Sequence, residues 1–412
     1  MVSPAGTTNL PQSGPASAPR SGPARTGRRI NLLSLGAISL VVLILAVYPL
    51  FDTTGLGIRP TVAISTLADA GIYVMLALGL NIVVGYAGLL DLGYAAFFAI
   101  GSYTYALLAS PQYGLHLSFW LLLVIAALVA AFFGALLGAP TLRLRGDYLA
   151  IVTLGFGEIV PSFFLNAQSV TGGTNGISGV DHPNLGIPLT NITLVKFAFD
   201  PKPYYYLVLL LVMGIVLVIS RLRDSRLGRA WMAIREDELA AAAMGIDTTR
   251  FKLMAFAMGA AFSGFAGCVY ASKLGFIGPS QFDFNVSVFI LCMIILGGMG
   301  NIVGVITGAL ILYVLQGYVL TQLPSILNDF GVSHNIDFFA NTDFSGLRYM
   351  FYGVALVTMM LVRPEGLIPN RRRRAELHPD TGEVAVRESE QELYDVREAG
   401  QQGPDTRGGG EG

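Results

Sequence analysis

Leu92-Gly93-Tyr94-Ala95-Ala96-Phe97-Phe98-Ala99-Ile100-Gly101-Ser102-Tyr103-Thr104-Tyr105-Ala106-Leu107-Leu108 opens a run that reaches Leu142 without any Asp, Glu, Lys or Arg. A helix crosses a bilayer core with about 20 predominantly apolar residues. The run is therefore long enough for two passes. A second charge-free run lies between Asp283 and Asp329, and a shorter one between Lys252 and Lys273 fits a single pass. Over its 412 residues the chain is 53% hydrophobic and 13% charged, where a soluble domain carries roughly 25% charged residues. These runs predict an all-α membrane protein.

Working outward, apolar spans fall at approximately 32–50, 61–80, 91–109, 117–139, 148–165, 204–220, 251–272, 286–299, 302–320 and 346–362. They give about ten transmembrane helices. Short Gly-rich breaks separate the second span from the third and the eighth from the ninth. Each pair also reads as interrupted helices, so the expected count runs from eight to eleven. The span 32–50 is long for a signal core and no small-residue cleavage site comes after it, so it reads as a retained first helix. Residues 1–30 are rich in Pro, Gly, Ser, Ala and Thr, a composition expected to stay disordered. Residues 369–412 are polar, acidic and Gly-rich and carry the same expectation, leaving 31–368 as the membrane domain.

Basic residues set the orientation, because loops on the cytoplasmic side collect Lys and Arg. With the N-terminus inside, the inner segments hold Arg20, Arg25, Arg28, Arg29, Arg143, Arg145, the group Arg221, Arg223, Arg226, Arg229, Arg235, Arg250 and Lys252, and Arg363 with Arg371 to Arg374. The outer segments hold only Arg59, Lys196, Lys202, Lys273 and Arg348. Both termini are thus expected in the cytoplasm. The basic residues flank apolar spans and form no continuous face, which argues against a nucleic-acid surface. Cys268 and Cys292 make no metal spacing and read as small buried residues.

The inner loop 221–250 contains Ser225-Arg226-Leu227-Gly228-Arg229-Ala230-Trp231-Met232-Ala233-Ile234-Arg235-Glu236-Asp237-Glu238-Leu239-Ala240-Ala241-Ala242-Ala243-Met244-Gly245-Ile246. Residues 229–243 favour a helix, with Gly245 as its stop. Trp231, Ile234, Leu239 and the alanines give it an apolar side. Such a helix either docks in a groove of a cytosolic partner or lies on the membrane surface.

This loop resembles that of the branched-chain amino acid ATP-binding cassette permeases of the LivM type. So do Gly79-Leu80-Asn81-Ile82-Val83-Val84-Gly85-Tyr86-Ala87-Gly88-Leu89-Leu90-Asp91-Leu92-Gly93-Tyr94, the stretch Leu142-Arg143-Leu144-Arg145-Gly146-Asp147-Tyr148 through Gly157-Glu158, Thr171-Gly172-Gly173 with Asn175-Gly176, Leu296-Gly297-Gly298-Met299-Gly300-Asn301, and Arg363-Pro364-Glu365-Gly366-Leu367. The matches run in family order from about residue 61 to 368. The resemblance implies an ABC importer permease fold and a transport subunit without enzymatic activity. It also implies a second homologous permease, two cytosolic ATPases and an external substrate-binding protein as partners, in the cytoplasmic membrane. One departure concerns the docking motif Glu-Ala-Ala-x-x-x-Gly of many importers. Counting back from Gly245, this chain offers Leu239-Ala240-Ala241. The expected ATPase-coupling residues are Arg229, Trp231, Arg235, Glu236, Glu238, Ala241 and Gly245.

ATP hydrolysis is expected elsewhere. A phosphate-binding loop ends in Gly-Lys-Ser/Thr, and none of the four lysines, Lys196, Lys202, Lys252 and Lys273, comes directly after a glycine. The histidines His116, His182, His334 and His378 lie far apart, and no catalytic or metal motif is present; no cofactor or metal is expected. Candidates for the translocation path are Asn81, Gly85, Gly88 and Asp91 of the first break, Gly300 and Asn301 of the second, and Glu158. Unwound backbone in a membrane occurs only where protein or water satisfies it, and broken helices in matching halves point to a substrate site. Close helix packing through small residues is the alternative reading of the breaks. Glu158 lies about ten residues into its span, where a carboxylate is costly; it marks a pathway or pairs across helices. The outer loop 166–203 offers Gly172, Gly173, Asn175 and Gly176 as a binding-protein contact, or is simply a surface connection. The resemblance thus implies translocation of branched-chain amino acids. A urea or short-chain amide permease, a stand-alone secondary transporter and a non-transporting scaffold are the alternatives.

Overall fold

The computed structural model describes residues 60–141, 147–187, 192–197 and 201–319, with isolated positions beyond and the segment 366–368. The expected tails 1–30 and 369–412, the span 32–50 and nearly all of 346–362 lie outside the described residues. Every other expected span is a helix. They are α1 (Pro60–Leu80, continued by a π-helical turn Asn81–Tyr86), α2 (Tyr94–Leu108), α3 (Phe119–Thr141) and α4 (Asp147–Asn166). A short α5 (Gln168–Thr171) precedes α6 (Pro201–Asp224), which leads to α7 (Arg226–Glu236) and α8 (Glu238–Ala243). Last come α9 (Thr248–Leu274), α10 (Phe284–Gly297) and α11 (Ile302–Val314), with a second π turn at Leu315–Val319. Among the described residues, six helical segments are long and apolar enough to cross a membrane, and those at Tyr94–Leu108 and Ile302–Gly317 are shorter apolar helices. The molecule is an all-α, multi-pass membrane protein.

The long helix α9 is the axis of the bundle and packs against α3, α2 and α1. Lipid supplies no hydrophobic drive between helices, so close van der Waals contact through small residues must hold them. The sequence of α9 provides this with Gly259, Ala260, Ser263, Gly264, Ala266, Gly267 and Ala271, all buried. A Cβ at Gly101 of α2 would stand 2.5 Å from the Gly264 Cα. A Cβ at Gly264 would stand 2.6 Å from the carbonyl oxygen of Ala126 in α3. Hydroxyls add links between helices. Tyr94 donates to the Gly259 carbonyl at 2.9 Å, and the Ser102 hydroxyl lies 3.1 Å from the Gly267 carbonyl.

The second glycine-rich break is a hairpin turn. Close approaches of Gly297 to Gly304 and of Gly308 to Met293 run in opposite senses along α10 and α11, so these helices are antiparallel neighbours. The first break differs: α1 widens into its π turn, and irregular backbone from 87 to 93 then leads into α2.

At the opposite end of the bundle from α7 and α8, short strands appear that apolar periodicity gave no hint of. β1 (Ile177–Ser178) pairs antiparallel with β4 (Phe276–Ile277), and β2 (Asn184–Ile187) with β3 (Ile192–Lys196). Overfilling the close contact at α9 tests the packing. Gly264→Val should cost about 1–3 kcal/mol, the usual scale for forcing extra volume into a packed interface. Gly214→Ala, on α6 with nothing within 4 Å of the new Cβ, should be neutral. Thermal unfolding in detergent checks both, and equal losses would contradict the close packing.

Candidate coupling and translocation site

The polar loop folds as two helices where the composition predicts one helix over 229–243. Asp237 takes an extended conformation between them, and its carboxylate accepts from the backbone N–H groups of Leu239 and Ala240. An aspartate at this position caps a new helix more favourably than it continues an old one. Ser225 caps α7 in the same way. Gly245 ends the unit with φ +85, the expected stop.

The expected coupling residues divide into inward and outward groups. Trp231 is fully buried, and its indole N–H donates to the Phe251 carbonyl at 2.7 Å. Ile234 and Ala241 are also buried. Glu238 forms an ion pair with buried Lys252 at the start of α9. Arg229 donates to the Asp224 carbonyl at 2.8 Å. The apolar side of the loop is thus mostly spent on this chain's own bundle. Glu236 and Gly245 are exposed. The outward apolar groups are Leu239, 70% exposed, and Met244, 84% exposed. Leu239 belongs to the apolar side expected from the sequence. Met244 does not, and its signal is an apolar residue directly before the helix stop.

Arg235 connects this unit to the first break. Its guanidinium donates to the Gly85 carbonyl, within the π turn. Gly88 has φ +71, and a Cβ there would stand 2.8 Å from the Arg235 Cγ. Gly88 therefore meets two demands that exclude a side chain. On the other side of the π turn, the Asn81 side-chain oxygen accepts from the Gly300 N–H at 2.8 Å. The two breaks, far apart in sequence, thus touch. Asn301 caps α11 by accepting from the Val303 N–H at 3.2 Å and donates to the Ile368 carbonyl at 3.0 Å. Leu367 and Ile368 donate their own N–H groups to the Leu296 and Gly297 carbonyls. Asn81, Gly85, Gly88, Gly300 and Asn301 form one connected region beside α7.

Asp91 joins this region through the start of α2. The first N–H groups of a helix have no partner within it. Here Gly93 N–H donates to Asp91 Oδ1 at 2.9 Å, Leu92 N–H to Thr153 Oγ1 at 3.1 Å, and Ala95 N–H to Ser287 Oγ at 2.9 Å. Asp91 Oδ2 is buried without a partner among the described residues. Glu158 stands apart, on the outward face of α4.

The Gly-rich loop after α4 is a tight knot. The Thr171 hydroxyl lies 2.9 Å from the Ala167 carbonyl, and Gly172, Gly173 and Gly176 all have positive φ. Pairing of β1 with β4 fastens the chain directly after Gly176. Asn175 is exposed, whereas Gly173 is buried. Near the same end lies a pair absent from the sequence expectations: Lys273 of α9 bonds Asp69 and the Ser65 carbonyl of α1. Its sequence signal is an isolated carboxylate inside an apolar span.

Asp91 lies between α1 and α2 and is fully buried, held by the hydrogen bond that its Oδ1 accepts from the Gly93 N–H.

Comparison with known proteins agrees with the fold. The family model described as the branched-chain amino acid transport system permease component matches residues 62–362. The chain is 44% identical, over 77% of its length and 72% of the relative's, to the high-affinity branched-chain amino acid transport system permease protein LivM of Escherichia coli K12. It is 27% identical, over 73% of its length and 91% of the relative's, to the probable LivM protein of Methanocaldococcus jannaschii. It is also 26% identical, over 63% of its length and 66% of the relative's, to the autoinducer 2 import system permease protein LsrC of Yersinia enterocolitica. No solved structure matches. The chain belongs to the family of branched-chain amino acid transport system permease components.

Proposed function

We propose that this chain is the permease subunit of an ATP-driven importer that carries branched-chain amino acids across the cytoplasmic membrane. It works with a second homologous permease, two cytosolic ATPases and an external binding protein. Both termini and the α7–α8 unit lie in the cytoplasm, and the knot at Gly172, Gly173, Asn175 and Gly176 faces the binding protein. The observation that carries the reading is the attachment of the polar α7–α8 unit to the first break through Arg235 and the Gly85 carbonyl. A partner pressing on Leu239 and Met244 would move α7, and α7 is fastened to backbone inside the bundle.

Force would then pass from Arg235 to the π turn, through Asn81 to Gly300, and into the α10–α11 hairpin. The region of Asn81, Gly85, Gly88, Asp91, Gly300 and Asn301 acts in this reading as the inner gate of the path. A ligand shifts an equilibrium only by binding two states differently. ATP would do so by drawing the ATPases together beneath α7 and α8.

Uptake of labelled leucine by the reconstituted complex tests the function. The reading expects uptake that needs ATP hydrolysis; uptake that persists without hydrolysis and collapses with the proton gradient would defeat it. For the coupling contact, Arg235→Ala removes a charge-assisted hydrogen bond, a loss of roughly 1.5–3 kcal/mol. Leucine uptake should fall about tenfold or more while ATP hydrolysis by the assembled complex continues. Equal loss of both, or of neither, would contradict the relay.

A further inference from the structure

The spanning helices that show an outward face differ in what they present. On α3 the outward residues are Leu121, Val124, Leu128, Phe132 and Leu136, and on α6 they include Leu210, Met213, Leu217 and Val218. These faces are apolar through their middle turns, as contact with acyl chains requires. On α4 the outward residues Ile151, Ile159 and Phe163 are also apolar, but a second row runs among them: Gly155, Glu158, Ser162 and Asn166. Steps of three and four residues put this row on one face of the helix. Among the described residues, no other spanning helix turns a carboxylate outward near mid-span.

Depth makes this costly if the face meets lipid. At 1.5 Å per residue, Glu158 stands about 12 Å from the Asn166 end of α4 and about 16 Å from its start. An ionised carboxylate near the bilayer centre costs about 3 kcal/mol or more. Asp69, an acid inside α1, offsets that cost by pairing with Lys273. Glu158, Ile159, Ser162, Phe163 and Asn166 instead share a shallow, open stretch of the outward surface of α4. Ile159 and Phe163 also close one side of an apolar pocket of about 360 Å³ between α2, α3 and α4. Carboxylate and apolar volume therefore share a wall, the combination suited to a solute with an ammonium group and a hydrocarbon side chain.

We propose that the Gly155–Glu158–Ser162–Asn166 row of α4 is one water-lined wall of the translocation path, while the outward faces of α3 and α6 meet lipid. This deepens the importer reading and rests on it: the second permease closes the path opposite α4, and zwitterionic, hydrophobic amino acids pass along the row.

Thiol accessibility in the assembled complex tests the assignment. Maleimides react with thiolates, which form readily in water and poorly in an apolar surrounding. Both native cysteines are buried, so introduced thiols report their own surroundings. Gly155→Cys adds a side chain where nothing stands within 4 Å, and Ser162→Cys exchanges one atom. These two should react with a membrane-impermeant maleimide more than about tenfold faster than Leu128→Cys on α3 and Met213→Cys on α6. If the α4 thiols are as inert as those two, or if all four react alike, the assignment falls. Leucine uptake measured on the same preparations separates the two claims. ATP-dependent uptake with inert α4 thiols overturns the wall alone, whereas reactive α4 thiols without uptake overturn the importer reading.

Discussion

Inside a bilayer no water waits to satisfy a backbone carbonyl, so every departure from regular helix must find its partner in the protein. At the end of α1 the chain makes such a departure, a π turn over Asn81–Tyr86 whose residues are all buried. Arg235 answers it by donating to the Gly85 carbonyl. The long side chain that meets this need belongs to the most polar unit of the described chain. Satisfying the backbone and attaching α7 to the bundle are therefore one interaction. Asn81 extends it, because the same turn that frees Gly85 places the Asn81 amide oxygen against the Gly300 N–H.

Around this junction the bundle is held by proximity rather than by exclusion of water. The buried small residues of α9 let α2 and α3 approach at backbone distance. Close-packed interfaces of this kind tend to occupy discrete arrangements, since small displacements meet steric walls. A pull on the junction would then move α10 and α11 as a hairpin, with the segment 366–368 clasped to its turn through the Leu296 and Gly297 carbonyls.

Much of the fold was legible because lipid imposes a crude rule: long charge-free runs must be helices. From 61–80 through 302–320 the apolar spans became helices within a few residues of their expected bounds. Local chemistry that competes with composition was harder to read. Alanine and charge over 229–243 suggested one helix, and the capping preference of Asp237 divided it in two. Tertiary pairings were invisible in principle. Asn81 and Gly300 stand 219 residues apart, and Lys273 and Asp69 stand 204 apart; neither spacing has a local signature. Trp231 illustrates the opposite difficulty. Its type suggested a docking anchor, yet it is buried in its own bundle. Glu158 was conspicuous from the start because an acid deep in an apolar span has few inexpensive explanations.

In the proposed mechanism the α7–α8 unit receives force from a nucleotide-hydrolysing partner and delivers it to the break at Gly85. Its outward apolar residues, Leu239 and Met244, should lie against that partner. Site-directed cross-linking from Leu239→Cys and Met244→Cys in the assembled transporter tests this most directly. A covalent adduct with the ATPase subunit is expected, with a yield that changes between the ATP-bound and nucleotide-free complex. Adducts with the external binding protein instead, or an ATPase adduct indifferent to nucleotide, would contradict it.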